Sequence, residues 1–278
     1  MMDTESQYPS INHRKKMMKN GLASTAFFLL LLTSCTTVSY IFVSDQQEVE
    51  LGNQIKRELL SDSDEYPVYN RNQAVVRYVD SIGQALVRAQ SDRRNIPFTF
   101  TIIDKNVINA FAVPGGHVFV YRGLIEACRN EAELAAVLAH EIAHITMRHG
   151  IKLLIKQYGA ALLIDIVIDD DNSLNHYLSN IAASMGFLKY SRNNEFEADS
   201  LAVEYSILAN YNPTGMETFL TLLRDDAPAR PRIAEIFSTH PNPEDRIERV
   251  KGIIGRKSQN LSDAQLFRER FMHYHSQI

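Results

Sequence analysis

Glu131 to Lys152 read EAELAAVLAHEIAHITMRHGIK. The spacing predicts one continuous helix, with Asn130 as its N-cap and Glu131 and Glu133 in the first turn, where the helix dipole favours acid. Within it, His140-Glu141-Ile142-Ala143-His144 is an HExxH motif. Residues i and i+4 lie on one helix face a turn apart, so both imidazoles can reach a single ion. Glu141 follows the first histidine by about 100° of rotation, which aims its carboxylate at the attacking water rather than at the metal. Leu134, Ala135, Val137, Leu138, Ile142, Ala143 and Ile145 make the helix largely apolar, so it is expected to be buried. Buried imidazoles and a buried carboxylate need partners, and a metal ion supplies them.

A catalytic zinc usually takes three protein ligands and keeps one open position. A third histidine six positions after His144 is excluded, because position 150 is Gly150. On a continuous helix His149 faces away, half a turn round from His140. The best source of a third ligand is Tyr190 to Tyr205, YSRNNEFEADSLAVEY. There Glu195 and Asp199 share a helical face, one to bind metal and one to orient a ligand histidine through its second nitrogen. Glu197 points roughly opposite and is the poorer choice. An exposed acidic helix remains the competing reading of this segment.

The N-terminus reads as an address. Arg14, Lys15, Lys16 and Lys19 precede an uncharged apolar run from Leu22 to Leu32, then Thr33-Ser34-Cys35. A basic region, a short apolar region and a small-residue site describe a secretory signal over residues 1–34. Eleven apolar residues are too few to span a bilayer. Leu-Thr-Ser-Cys resembles the bacterial lipoprotein box, with lipid on Cys35, a linker over 35–44, and Thr36 pointing to the outer membrane. The competing reading is a signal anchor extended through Val38, Tyr40, Ile41, Phe42 and Val43.

The 278 residues carry a formal charge of −4. Removing residues 1–34 takes the 29 basic groups to 25 and the 33 acidic groups to 31, which gives no sign of nucleic-acid binding. With Cys35 lipidated, Cys128 lacks an intramolecular partner and reads as a buried thiol.

Residues 44–60 and 73–90 read as amphipathic helices. The alternating, β-branched and aromatic Pro97–Ile103 and the run His117–Tyr121 read as strands, with Pro114-Gly115-Gly116 as a turn. Ala160–Ile168 is strongly apolar and open to three readings: core, a lid over the cleft, or a surface touching lipid. Asp169-Asp170-Asp171-Asn172 lacks the glycine and distal glutamate of a calcium loop and reads as a solvated turn.

HEIAH followed by SRNNEFEAD resembles the gluzincin metallopeptidases that include HtpX, the CAAX prenyl peptidase and OMA. EVELGNQI, NAFAVPGGHVFVYRGLI and STHPNPEDRI match as well, so the likeness spans about residues 45–255 and leaves 256–278 as a tail. The leader places the chain nearest the periplasmic lipoprotein branch of BepA and LoiP. It stops soon after its His240-Pro241 motif, with no tetratricopeptide array expected. The resemblance implies an α+β, mainly α, zincin-type domain, with the edge strand of a small sheet beside the HExxH helix. It further implies one Zn2+ per chain, with His140, His144 and Glu195 as ligands, Glu141 as general base and Asp199 behind a ligand. Asn109, Ala110, Phe111, Ala112 and Val113 would form the edge that takes substrate as an added strand.

His240 would lie beside zinc. It has three readings: a turn-capping histidine, an oxyanion donor, which is the favoured one, or a latch in zinc's fourth position. The expected activity is endoproteolysis of unfolded or misassembled envelope proteins, on the periplasmic side of the outer membrane. A lipid-anchored assembly factor that keeps zinc only for stability is the alternative.

Overall fold

The computed structural model describes residues 43–93, 95–169, 173–226, 236, 239–241, 243–257 and 262–278. The expected leader, Cys35 and Asp170 to Asn172 lie outside them. Helix α1 (Asp45–Ser61) opens on a capping box, Ser44 with Gln47, and α2 (Gln73–Ala89) opens on an Asn72 cap. Both bury their apolar stripe: Leu51, Ile55 and Leu59 in α1, and Val75, Val79, Ile82 and Leu86 in α2.

Three strands follow: β1 (Thr99–Ile103), β2 (Ala110–Val113) and β3 (His117–Tyr121). Their order is β1-β3-β2, with β1 parallel and β2 antiparallel to β3. The turn from β2 to β3 uses Gly115 and Gly116 at φ +83° and +107°, where a side chain would be strained. Helix α1 crosses directly over this turn. A Cβ on Gly52 would lie 1.9 Å from the Pro114 carbonyl oxygen.

Strand alternation divides the interior in two. Phe100, Ile102, Ala110, Ala112, Val118 and Val120 enter one apolar cluster, shared with the HExxH helix. Ile103, Phe111, Val113, Phe119 and Tyr121 enter the other, shared with α1. The sheet is therefore the middle layer, and β2 is an outer strand of it.

After α3 (Arg122–Ala127) comes the HExxH helix α4 (Glu131–Thr146), capped by Asn130 and buried at every residue. Its N-terminus is tied down through Glu131, which accepts from Tyr78, Tyr211 and Arg270. The expected continuation to Lys152 does not occur. Arg148 adopts a left-handed conformation (φ 59°), and a new helix, α5 (His149–Tyr158), starts beyond it. The break is held by tertiary contacts, because the buried Arg148 guanidinium donates to the Val43 carbonyl and pairs with Glu48.

Helix α6 (Ala160–Ile168) buries Leu163 and Ile166 in the α1 cluster and leaves Ile168 exposed. Then come α7 (Asn175–Ser184), a 3-10 turn (Met185–Phe187), α8 (Arg192–Leu208), α9 (Thr214–Asp226), α10 (Pro243–Lys257) and α11 (Arg268–His275). Among the described residues, no helix is long and apolar enough to cross a membrane. Cys128 is buried and unbridged.

Candidate active site

Helix α4 presents His140 and His144 on the face that meets α8, with their Nε2 atoms 3.0 Å apart. Helix α8, opened by a Ser191–Asn194 capping box, brings Glu195 to 3.5 Å from each of those nitrogens. His240 completes the group, its Nδ1 lying 3.1 Å from both Glu195 oxygens and 3.4 Å from His140 Nε2. One donor atom from each of His140, His144, Glu195 and His240 falls within 4.8 Å of the others, and all four residues are buried.

This set fits zinc. Imidazole nitrogens and one carboxylate are its usual donors. Two Nε2 atoms facing each other across 3.0 Å can share only one proton, whereas one cation satisfies both. Glu141 adds a second sign, since its Oε2 is buried without a hydrogen-bond partner among the described residues. Such an atom is costly unless water or a ligand meets it.

The surrounding charges set the protonation of the group. Burial opposes a charge on His140, but hydrogen bonds to Asp199 and Glu195 outweigh it and lift its pKa to about 9. Burial, then the nearby His140, holds His144 well below its ordinary value. Burial works against the Glu195 carboxylate too, yet His240 and Arg246 keep it ionised well below the usual range. Burial raises Glu141.

Asp199 is one helical turn after Glu195, and its Oδ1 sits 2.9 Å from His140 Nδ1. Arg246 on α10 clamps both carboxylates, with two 2.7 Å hydrogen bonds to Asp199 and a 2.9 Å contact to Glu195. Sequence reading missed Arg246. The available signal is positional: Arg246, Val250 and Ile254 form one buried i, i+4, i+8 stripe on α10, so an arginine occupies an apolar place.

Two further residues were misread or missed. The helix break at Arg148 turns His149 back, so that its Nδ1 lies 2.9 Å from His144 Nδ1 instead of facing away. Glu197 does point away from Glu195, and it meets His149 Nε2 at 3.1 Å. Burial keeps His149 below its ordinary pKa despite Glu197. Tyr190 stacks on His144, with ring centres 3.9 Å apart.

Beside Glu141 and His240 lies a small recess lined by Val137, Met216, Phe219, Leu223 and Ile236. The β2 segment from Asn109 to Val113 runs next to α4 at the sheet edge. Tyr121 N–H donates to the Asn109 carbonyl, so Asn109, Phe111 and Val113 face β3. The backbone groups of Ala110 and Ala112 therefore point off the edge. Asn109 Oδ1 accepts from the Ala110 N–H, and Gly186 lies against the Phe111 ring.

A buried HExxH helix crossed by a glutamate-bearing second helix defines a metallopeptidase centre of the gluzincin type. The model of peptidase family M48 matches residues 73–254, and the chain belongs to that family. It is 31% identical over 211 residues to the beta-barrel assembly-enhancing protease of Escherichia coli K12, covering 72% of this chain and 42% of that one. A putative protein of the same name in Vibrio cholerae is 32% identical over 221 residues, 76% and 45% of the two chains. The mitochondrial metalloendopeptidase OMA1 of Schizosaccharomyces pombe is 28% identical over 201 residues, 71% and 56%. The chain thus spans under half the length of the two bacterial relatives.

Proposed function

We propose that this chain is a membrane-anchored zinc endopeptidase that hydrolyses extended segments of unfolded or misassembled envelope proteins. The observation that carries the reading is Glu141. It is a buried, partly unpartnered carboxylate beside a buried His-His-Glu donor set. His140, His144 and Glu195 would hold the ion. Zinc there would supply a Lewis acid for the scissile carbonyl and lower the pKa of water. Glu141 takes the proton from the attacking water on its carboxylate and passes it to the leaving amine. Asp199, fixed by Arg246, places its Oδ1 2.9 Å from His140 Nδ1, which favours a proton on that nitrogen and leaves Nε2 free to bind.

The backbone groups of Ala110 and Ala112 that point off the sheet edge, of which the Ala110 N–H is held by Asn109 Oδ1, support docking of a peptide as an added strand along β2. Only a chain without its own tertiary structure can lie so, which selects unfolded or locally opened substrates.

His240 is read here as a fourth zinc donor in the resting protein, because its Nδ1 falls inside the donor set. This geometry favours the latch over the oxyanion donor preferred on sequence grounds. A set closed by four protein ligands is also what a zinc-stabilised, non-catalytic assembly factor would have. Kinetics of the His240 variant separate the two.

The address rests on the leader and Cys35, with the periplasmic face of the outer membrane as the proposed site. Cys35→Ala should release the protein from membranes or leave a precursor. Membrane retention of a fully processed variant would contradict the lipid anchor. For substrate class, the purified protein should cut casein while sparing a tightly folded globular protein, and equal cleavage of both would contradict the edge-strand reading.

A further inference from the structure

Each zinc-binding histidine on α4 must present Nε2 as a lone pair, which requires its proton on Nδ1 and an acceptor there. For His140 that acceptor is Asp199. Among the described residues, His144 has no carboxylate at its Nδ1. Its Nδ1 meets His149 Nδ1 at 2.9 Å, and His149 Nε2 meets Glu197 Oε2 at 3.1 Å.

We propose that His149, backed by Glu197, is a positioning residue that fixes the tautomer and ring orientation of His144 for zinc binding. The inference rests on the reading of His144 as a zinc ligand. With both imidazoles neutral, one assignment of protons satisfies the whole chain. His144 carries its proton on Nδ1 and donates it to His149 Nδ1. His149 carries its own on Nε2 and donates it to the Glu197 carboxylate. Flipping either tautomer sets two N–H groups, or two lone pairs, against each other.

The backbone is arranged for this contact. A continuous helix would carry His149 away from His144. The left-handed Arg148, anchored by Val43 and Glu48, bends the chain and restarts it with His149 at the first position of α5. Tyr190 stacks on the His144 ring and limits its rotation, leaving the acceptor to choose between tautomers. His149 is 2% exposed, so water is a poor substitute acceptor. The Glu197 side chain is 45% exposed, so water can take its place and its removal should matter less.

The test is zinc affinity by competition with a chromogenic chelator, with apo-protein melting as the control for folding. His149→Leu should weaken zinc binding about tenfold to a hundredfold at an unchanged apo melting temperature, the range for losing a partner behind a metal ligand. His149→Asn should restore most of it, because Asn Oδ1 occupies nearly the position of His Nδ1. Glu197→Ala should lie between wild type and His149→Leu. Wild-type affinity in His149→Leu, or equal weakening in Leu and Asn, would overturn the proposal.

If His149→Leu does not fold, 15N NMR of the wild-type apo protein decides. The Nδ1–H tautomer of His144 is expected, and the Nε2–H tautomer refutes the proposal. A wild-type protein that binds no zinc would instead refute the metal site itself, as would undiminished binding by Glu195→Ala.

Discussion

At the scale of single residues, the site is a set of buried polar atoms that satisfy one another only in part. His240 decides how the set behaves at rest. With its Nδ1 3.4 Å from His140 Nε2, it would, as the proposed fourth donor, compete with water for that position on a bound ion. His240→Ala should therefore raise kcat on an unfolded substrate, by a factor set by how rarely the resting protein is open. Zinc content should stay near one per chain. A tenfold to thousandfold fall would restore the oxyanion-donor reading. No change would reduce His240 to capping its turn. HExxH and the Glu195–Asp199 pair were legible in the sequence because helical spacing alone places them on shared faces. Arg246 and His149 were not, because their roles arise where separate elements meet.

Elements show the same division. Strand β3 formed where the run His117–Tyr121 was read as a strand, and α1 and α2 followed their apolar periodicity. The break after α4 had only a weak local signal, since the left-handed position is Arg148 and the nearest glycine, Gly150, lies two residues beyond it inside α5. It depends on contacts of Arg148 with Val43 and Glu48, about a hundred residues away in sequence. A second long-range tie joins α1, β1 and β3. His117 lies between Thr99 Oγ1 at 2.9 Å and Asn53 Oδ1 at 3.1 Å, while Lys56 Nζ donates to the same Thr99 oxygen.

Those partners keep His117 neutral: Thr99 donates to its Nδ1 and Asn53 accepts from its Nε2. Burial, and then the Lys56 charge, lower its pKa to about 4 from an ordinary 6.5. The unfolded chain thus binds more protons between those values, so the stability from neutral His117 is present above pH 6.5 and fades as pH falls toward 4. Each pH unit in that window removes about 1.4 kcal/mol. Urea unfolding at pH 6.5 and 4.5 should show wild type losing roughly 2–3 kcal/mol more than His117→Leu. Equal losses would contradict a buried neutral histidine at this joint.

For the whole molecule, the sheet divides two apolar clusters and supports α4 on one side with its edge strand alongside. This arrangement sets the β2 edge beside the helix that carries Glu141 and two members of the buried His-Glu group. The family match over 73–254 covers these parts and leaves the expected leader and Cys35 outside it. Fold and chemistry therefore rest on the described domain, and the address on sequence alone.

The claim that Glu141 accepts and returns the proton of peptide hydrolysis is tested most directly by Glu141→Gln. Its zinc content, melting temperature and casein cleavage should be measured on one preparation beside wild type. The amide keeps the size and the burial but cannot take the proton. Zinc near one per chain, wild-type melting and a roughly hundredfold to ten-thousandfold loss of cleavage are predicted. Near-normal cleavage by Glu141→Gln, or cleavage by wild type that survives complete removal of zinc, would contradict the account.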